Sequence, residues 1–218
     1  MNPNEYQNKS DGYFGFRRPE VASFIPEEAK KLLDVGCGAG AFGKYLKELR
    51  DIEVWGVELS PSAAEKAKPN LDNVIAAPFD EHTGCPLGYF DVITFNDSLE
   101  HFPNEEPPLM LAKKLLKPEG VIICSLPNVR FIENMKHVLL ERDWEYADMG
   151  ILDKTHLRFF TKKSMLRTFD RLGFDVLDIQ GINPGYWKGW KIGLLRLIFG
   201  KSIEDMKYLQ FVSVLKPK

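Results

Sequence analysis

The chain is poor in cysteine: Cys37, Cys85 and Cys124 are odd in number and far apart. They cannot build a disulfide framework and lack the paired spacing of a zinc site, so a reducing cytosol is the simplest setting. Neither sign of charge is in surplus, because 29 Lys and Arg stand against 31 Asp and Glu, a net of −2. With no global positive field, nucleic acid is not an expected partner. Long apolar runs are missing too. The longest, 192–199, is broken by Arg196 and falls far short of the roughly 20 residues a spanning helix takes. The start, Met1-Asn2-Pro3-Asn4-Glu5, shows no basic-then-apolar leader pattern, so the expected location is cytoplasmic. Internal repeats and low-complexity tracts are absent as well. What remains, 44% hydrophobic and 28% charged over 218 residues, is the make-up of a globular chain able to bury one full core.

From Lys31 onward, short apolar runs bounded by turn residues alternate with helical patterns. The runs 31–36, 52–59, 73–78, 90–96 and 121–126 are rich in β-branched residues without strict alternation, as strands buried on both faces of a parallel sheet require. Helical patterns fall at 41–50, 62–68 and 105–117, the last stopped by Pro118-Glu119-Gly120. Right-handed crossovers then build a doubly wound α/β sheet. Beyond it, 129–141 reads helical, and the polar and aromatic stretch 142–160 reads as a functional loop. Thr161 suits an N-cap for a helix ending at Gly173, and 174–179 and 209–215 read as far-edge strands. Between those strands, 181–207 is too long for a hairpin loop and is expected to be an inserted helix or lid. Residues 1–30 form an N-terminal cap on a domain spanning 31–218.

The strongest chemical signal is Leu32-Leu33-Asp34-Val35-Gly36-Cys37-Gly38-Ala39-Gly40, a buried strand running into three alternating glycines and then a helix. Missing Cβ atoms at Gly36, Gly38 and Gly40 let backbone approach a ligand, toward which the helix points its unbonded N–H groups. About twenty residues on, Glu58 closes the second strand, placed to accept two ribose hydroxyls. The stretch Gly38-Ala39-Gly40-Ala41-Phe42-Gly43 also matches the dinucleotide spacing G-x-G-x-x-G. For a pyrophosphate, however, the first glycine belongs at the strand end, where Gly36 stands, and Asp34 two residues earlier favours an amino-acid moiety over phosphates.

Residues 32–40, Glu58, Phe90-Asp91-Val92-Ile93, Leu115-Leu116-Lys117-Pro118-Glu119-Gly120 and Ser125-Leu126-Pro127-Asn128 together resemble class I S-adenosylmethionine-dependent methyltransferases over roughly residues 30–128. The resemblance implies a seven-stranded sheet of order 3-2-1-4-5-7-6 with strand 7 antiparallel and helices on both faces. It implies S-adenosyl-L-methionine as methyl donor, bound by Asp34, Gly36, Cys37, Gly38, Glu58, Leu59 and Asn96. Relatives usually carry an Asp just after strand 3 for the adenine amino group. Pro78 stands there instead, and Asp80 is the nearest substitute.

Because the sulfonium carbon is already electrophilic, the protein has to hold a nucleophile in line and take its proton. After strand 4 the chain reads Asn96-Asp97-Ser98-Leu99-Glu100-His101, without the Pro-Pro-aromatic of enzymes that methylate amide or adenine nitrogen. Oxygen is thus the expected nucleophile, with His101 as general base and His156 as second base or substrate contact; packing roles for both histidines stand as the alternative. The block 143–161, with Gly150-Ile151-Leu152-Asp153-Lys154-Thr155-His156, is similar to methyltransferases of surface-polysaccharide and other glycan pathways. It implies a hydroxyl of a glycan, sugar nucleotide or lipid-linked saccharide. The spacing D-x-x-E-H also resembles the E-x-x-E-H that holds magnesium in ubiquinone-pathway and small-RNA 3′-end O-methyltransferases. Asp97, Glu100, His101 and His156 would then hold magnesium or manganese for a phenol or quinone-type acceptor. A non-catalytic cofactor-binding protein and a dinucleotide oxidoreductase are the readings from other classes. Finally, 185–201 interleaves Tyr186, Trp187 and Trp190 with Lys188 and Lys191, which suits a cover for the acceptor or peripheral contact with the inner membrane face.

Overall fold

Strands form where β-branched and aromatic residues cluster, and their neighbours decide which way they run. The computed structural model describes residues 15–186 and 190–218. Its strands are β1 (Lys31–Val35), β2 (Glu53–Glu58), β3 (Asn73–Ala76), β4 (Phe90–Asn96), β5 (Leu116–Pro127), β6 (Phe174–Pro184) and β7 (Tyr208–Pro217). They make one sheet of order β3-β2-β1-β4-β5-β7-β6. The first five pair in parallel, and β7 runs antiparallel to both β5 and β6. This is the arrangement that the glycine motif and its neighbours imply.

The helices are α1 (Pro19–Ala22), α2 (Ala41–Leu49), α3 (Pro61–Ala67), α4 (Glu106–Leu115), α5 (Ile132–Lys136), α6 (Lys162–Arg171) and α7 (Trp190–Phe199). Two starts are written locally. Ser60 accepts from the Ala63 amide with Pro61 at the first helical position of α3, and Thr161 and Ser164 form a reciprocal capping box on α6. One core on each sheet face holds the helices down. Phe90, Phe95, Leu109, Phe169, Phe174 and Phe211 fill one, and Val21, Ile25, Leu32, Leu46, Val54 and Ile123 fill the other. Each buried aromatic or aliphatic side chain contributes about 1.5–3 kcal/mol. The N-terminal cap belongs to the second core, where Val21 and Ile25 are buried and Arg50 donates to the Pro26 carbonyl at 2.8 Å.

Three expectations change. Pro118-Glu119-Gly120 does not end a helix but lies inside β5, where the pairing jumps from Phe90↔Leu116 to Val92↔Val121. The jump sets five steps against two, a bulge that lets Pro118 sit without breaking the ladder. The helix at 129–141 divides into α5 and a π-helical turn, His137–Glu141, closed by Arg142 at φ 60. β6 continues to Pro184, because its pairing with β7 extends to Pro184↔Tyr208. The insertion therefore shrinks to 185–207, namely α7 followed by a 3-10 segment at Gly200–Lys207.

Candidate active site

A cavity of about 660 Å³ opens beyond the carboxyl ends of β1, β2, β4 and β5, the usual ligand position on an open α/β sheet. Asp34, Gly36, Cys37, Gly38, Glu58, Leu59, Asn96, His101 and His156 all line it. Asp80 does not. Its carboxylate accepts from the His82 amide in its own turn, and the wall beside β3 is Ala77, Pro78 and Phe79. The structure thus does not bring Asp80 to the cavity wall, since the chain turns away one residue after Phe79.

One wall is the glycine turn. Gly36, Gly38 and Gly40 have φ of 79, 54 and 75, conformations that cost side-chain-bearing residues. A Cβ on Gly36 would meet the Ser98 Cβ at 2.7 Å, so only bare backbone lets β1 and the segment after β4 converge. The Gly36 amide donates to the Val57 carbonyl at 2.8 Å. Glu58 lies behind the turn, each oxygen accepting one backbone amide, Gly38 at 2.9 Å and Ser60 at 2.8 Å. Burial raises its pKa, opposed by those two amides, and each oxygen keeps a second acceptor site. Asp34 accepts from the Thr94 hydroxyl at 2.6 Å and the Asn96 amide at 3.4 Å. Burial pushes its carboxyl up to about 6 against the pull of the Thr94 hydrogen bond.

The facing wall is assembled from segments far apart in sequence. After β4 the backbone takes φ 50 at Asp97 and enters a 3-10 turn, Leu99–His101, whose three residues are all buried. The Glu100 carbonyl accepts from the Leu157 and Arg158 amides at 2.9 and 3.0 Å, which clips the far loop to this turn. Within that loop, buried Asp153 accepts from the Thr155 amide and hydroxyl at 2.8 and 2.7 Å. So held, the loop turns two carbonyls toward the histidines: His101 Nδ1 donates to Thr155 O at 3.0 Å and His156 Nδ1 to Ile151 O at 2.9 Å. A carbonyl only accepts, so each Nδ1 carries a proton, and whenever a ring is neutral its lone pair is on Nε2. The rings lie edge to face with centroids 4.7 Å apart, and His156 Nε2 lies 3.7 Å from Glu100 Oε1.

Glu100 is the anomaly of this wall. It is 1% exposed, and neither carboxylate oxygen has a hydrogen-bond partner among the described residues. Burial, then the charge of Asp97, drive its pKa well above the ordinary carboxylate range. Buried polar groups are almost always partnered, so such an exception calls for a ligand, proton or cation. Glu100, His101 and His156 each offer a donor atom within 4.8 Å of the others. Asp97, the fourth residue of the D-x-x-E-H reading, stands outside this group because its oxygens are held by Arg18 and Gln210.

Arg18 is the contributor that the sequence reading missed. It sits in the left-handed region before α1 and pairs with Asp97 and Glu20. It also donates to the Ser125 hydroxyl at 2.8 Å and to Gln210 at 3.2 Å, tying the N-terminal cap to β4, β5 and β7. Its only signal was an Arg beside Pro19 with Glu20 two residues on, and neither marks the distant partners. The insertion, by contrast, supplies no wall among the described residues. Asn183 of β6 and Leu209 and Gln210 of β7 line the cavity. Trp187, Lys188 and Gly189 lie outside the described residues, as does the side chain of Trp190.

The family described as "Methyltransferase domain" matches residues 12–179. The ubiquinone biosynthesis O-methyltransferase of Haemophilus ducreyi is 31% identical over 208 residues, covering 87% of this chain and 80% of that protein. The enzyme of the same name from Azoarcus sp. is 32% identical over 166 residues, 71% of this chain and 69% of that one. A SAM-dependent methyltransferase structure from Archaeoglobus fulgidus superposes with a TM-score of 0.67 at 20% identity, covering 95% of this chain and 97% of its own. One from Geobacter sulfurreducens, in complex with S-adenosyl-L-homocysteine, gives 0.58 at 16% identity over 92% and 91%. At these identities the two structures speak for the fold.

Proposed function

On the premise that this chain belongs to the methyltransferase-domain family and is an S-adenosylmethionine-dependent methyltransferase, we propose that it methylates a hydroxyl of a small phenol- or quinone-type acceptor. The observation that carries this reading is the buried Glu100 carboxylate, without hydrogen-bond partners and grouped with His101 and His156 at the cavity wall. A sugar hydroxyl, the reading suggested by the 143–161 block, has less behind it. The closely matching relatives are named for ubiquinone biosynthesis. Phe16, Phe42, Phe79, Phe102, Met149 and Leu209 around the cavity suit a flat aromatic acceptor better than a ring studded with hydroxyls.

The residues present fit the donor. The Gly36–Gly38 backbone leaves the room a Cβ would take, Asp34 offers a carboxylate to an ammonium, and the second acceptor sites of Glu58 suit two ribose hydroxyls. When bound, the donor supplies a methyl carbon activated by a sulfonium. The chain's task is then to exclude water, hold the acceptor oxygen in line and remove its proton. Nε2 of His101 or His156 takes that proton as the oxygen–methyl bond forms, and Glu100 stabilises the resulting imidazolium.

The same three residues also fit a divalent cation. Each histidine donates its Nδ1 proton to a carbonyl, the outer-sphere pattern of metal-bound imidazole, and Glu100 adds an anionic oxygen. Such a cation would polarise the acceptor hydroxyl. Methyl transfer from labelled donor to a panel of catechols, hydroquinones, sugar nucleotides and glycans tests the acceptor class. Labelling confined to the sugars would overturn the phenolic reading, and activity unaffected by exhaustive chelation would remove the cation.

A further inference from the structure

Outside the cavity, the largest concentration of exposed apolar side chains lies on α7. Leu194, Leu197, Ile198 and Phe199 are all exposed, Leu197 at 83% and Ile198 at 63%. Leu194, Leu197 and Ile198 share one face at spacings of three and four. Ile192 and Leu195 on the opposite face are half-buried. A helix that leaves this much apolar surface exposed is out of place in water, and at ten residues it is too short to span a bilayer. The charge around it is net positive. Residues 185–207 contain Lys188, Lys191, Arg196, Lys201 and Lys207 against Glu204 and Asp205. Both acids are already engaged within the protein, Glu204 by Arg196 and Asp205 by Arg130, and Lys201 is exposed.

We propose that α7 and its flanking lysines dock the protein on an anionic lipid surface, with Leu194, Leu197, Ile198 and Phe199 entering the headgroup boundary. A second copy of the chain is the weaker occupant. A stable dimer takes about 800 Å² per partner, more than four side chains on one short helix supply, whereas insertion into lipid needs no complementary surface and gains from each cation. The placement also serves the reaction. β6 and β7 enclose the insertion, and the residues flanking it, Asn183, Leu209 and Gln210, line the cavity. Docking by α7 thus brings the cavity to the membrane, where an apolar acceptor would concentrate. That last link rests on the phenolic reading; the docking itself does not.

Flotation of the full chain with vesicles, zwitterionic or containing about one-third anionic lipid, tests it without acceptor or donor. The protein should rise with the anionic vesicles and be released by salt. Replacing Leu197→Glu with Ile198→Glu should weaken partitioning about tenfold while donor binding and turnover of a water-soluble catechol stay unchanged. If the double variant fails to fold, Leu197→Trp should show fluorescence quenched by brominated lipid. Failure to float, flotation indifferent to both substitution and salt, a tryptophan that stays unquenched, or a concentration-dependent dimer lost in the double variant would each overturn the proposal. Loss of phenolic activity with flotation intact would condemn the acceptor reading alone.

Discussion

The two walls of the cavity satisfy their polar groups in opposite ways. On the donor wall, Asp34 and Glu58 are buried, but Thr94 and Asn96 donate to Asp34 Oδ1 and the Gly38 and Ser60 amides to the two oxygens of Glu58. On the acceptor wall, Glu100 is buried as deeply with neither oxygen hydrogen-bonded among the described residues, three positions after a non-glycine residue at φ 50. The first wall is organised before any ligand arrives. The second holds an unmet electrostatic demand that an acceptor, a proton or a cation relieves, as sites of chemistry do. Binding and turnover should therefore be separable by substitution.

The sharpest break should come at the acceptor wall. His101→Ala, His156→Ala or Glu100→Gln is expected to lower turnover about 10²- to 10⁴-fold with donor affinity, read by calorimetry, almost unchanged. Parallel losses of donor affinity would erase the distinction between the walls. On the other side, Glu58→Ala should weaken donor binding by about 1–3 kcal/mol. Its cost includes the brace on Gly38, so a folded variant with unaltered affinity would end the ribose assignment.

Arg18→Gln probes the seam between the walls. It leaves Asp97 without its cation, and we expect about a tenfold fall in kcat/KM for the acceptor, allowing for the partial exposure of Asp97. Arg18→Lys should recover part of it, and a change confined to melting temperature would make the residue merely structural.

The smallest effect concerns pH. Asp34 has its carboxyl raised to about 6, so between its unfolded value and about 6 the folded chain retains a proton that the unfolded chain has lost. This group's contribution to stability is present at low pH and is lost as pH rises through that window. Donor binding runs the other way, because an ammonium needs the ionised carboxylate. Affinity should strengthen about tenfold per unit as pH rises toward 6 and level off above it, and Asp34→Asn should abolish the slope.

The donor wall was legible in the sequence because it is local. Residues 32–40 and Glu58 sit on or at the ends of the neighbouring strands β1 and β2, an order that the resemblance implied, and their residue types speak for themselves: glycines where Cβ clashes, a carboxylate at a strand end. The acceptor wall was legible only in part. His101 and His156, expected as base and as second base or substrate contact, are brought together by the structure, with ring centroids 4.7 Å apart. Asp97 was grouped with them on spacing, and the structure gives it to Arg18 instead. Asp80 was chosen for its position after β3, and a two-residue turn carries it out of the cavity.

By itself, then, the sequence marked most of the strands and helices and the glycine turn, since periodicity, caps and missing Cβ atoms act over a few residues, while the strand order came with the family resemblance. Only the tertiary structure decided which buried charges would be paired. Arg18 meets Asp97 across 79 positions and Gln210 across 192, while the carboxylate of Glu100, three residues from Asp97, is left without a hydrogen-bond partner among the described residues. Pairing in a low-dielectric interior depends on distances of a few ångströms between segments, and those distances exist only once the cap, β7 and the 142–160 loop have closed around the same cavity.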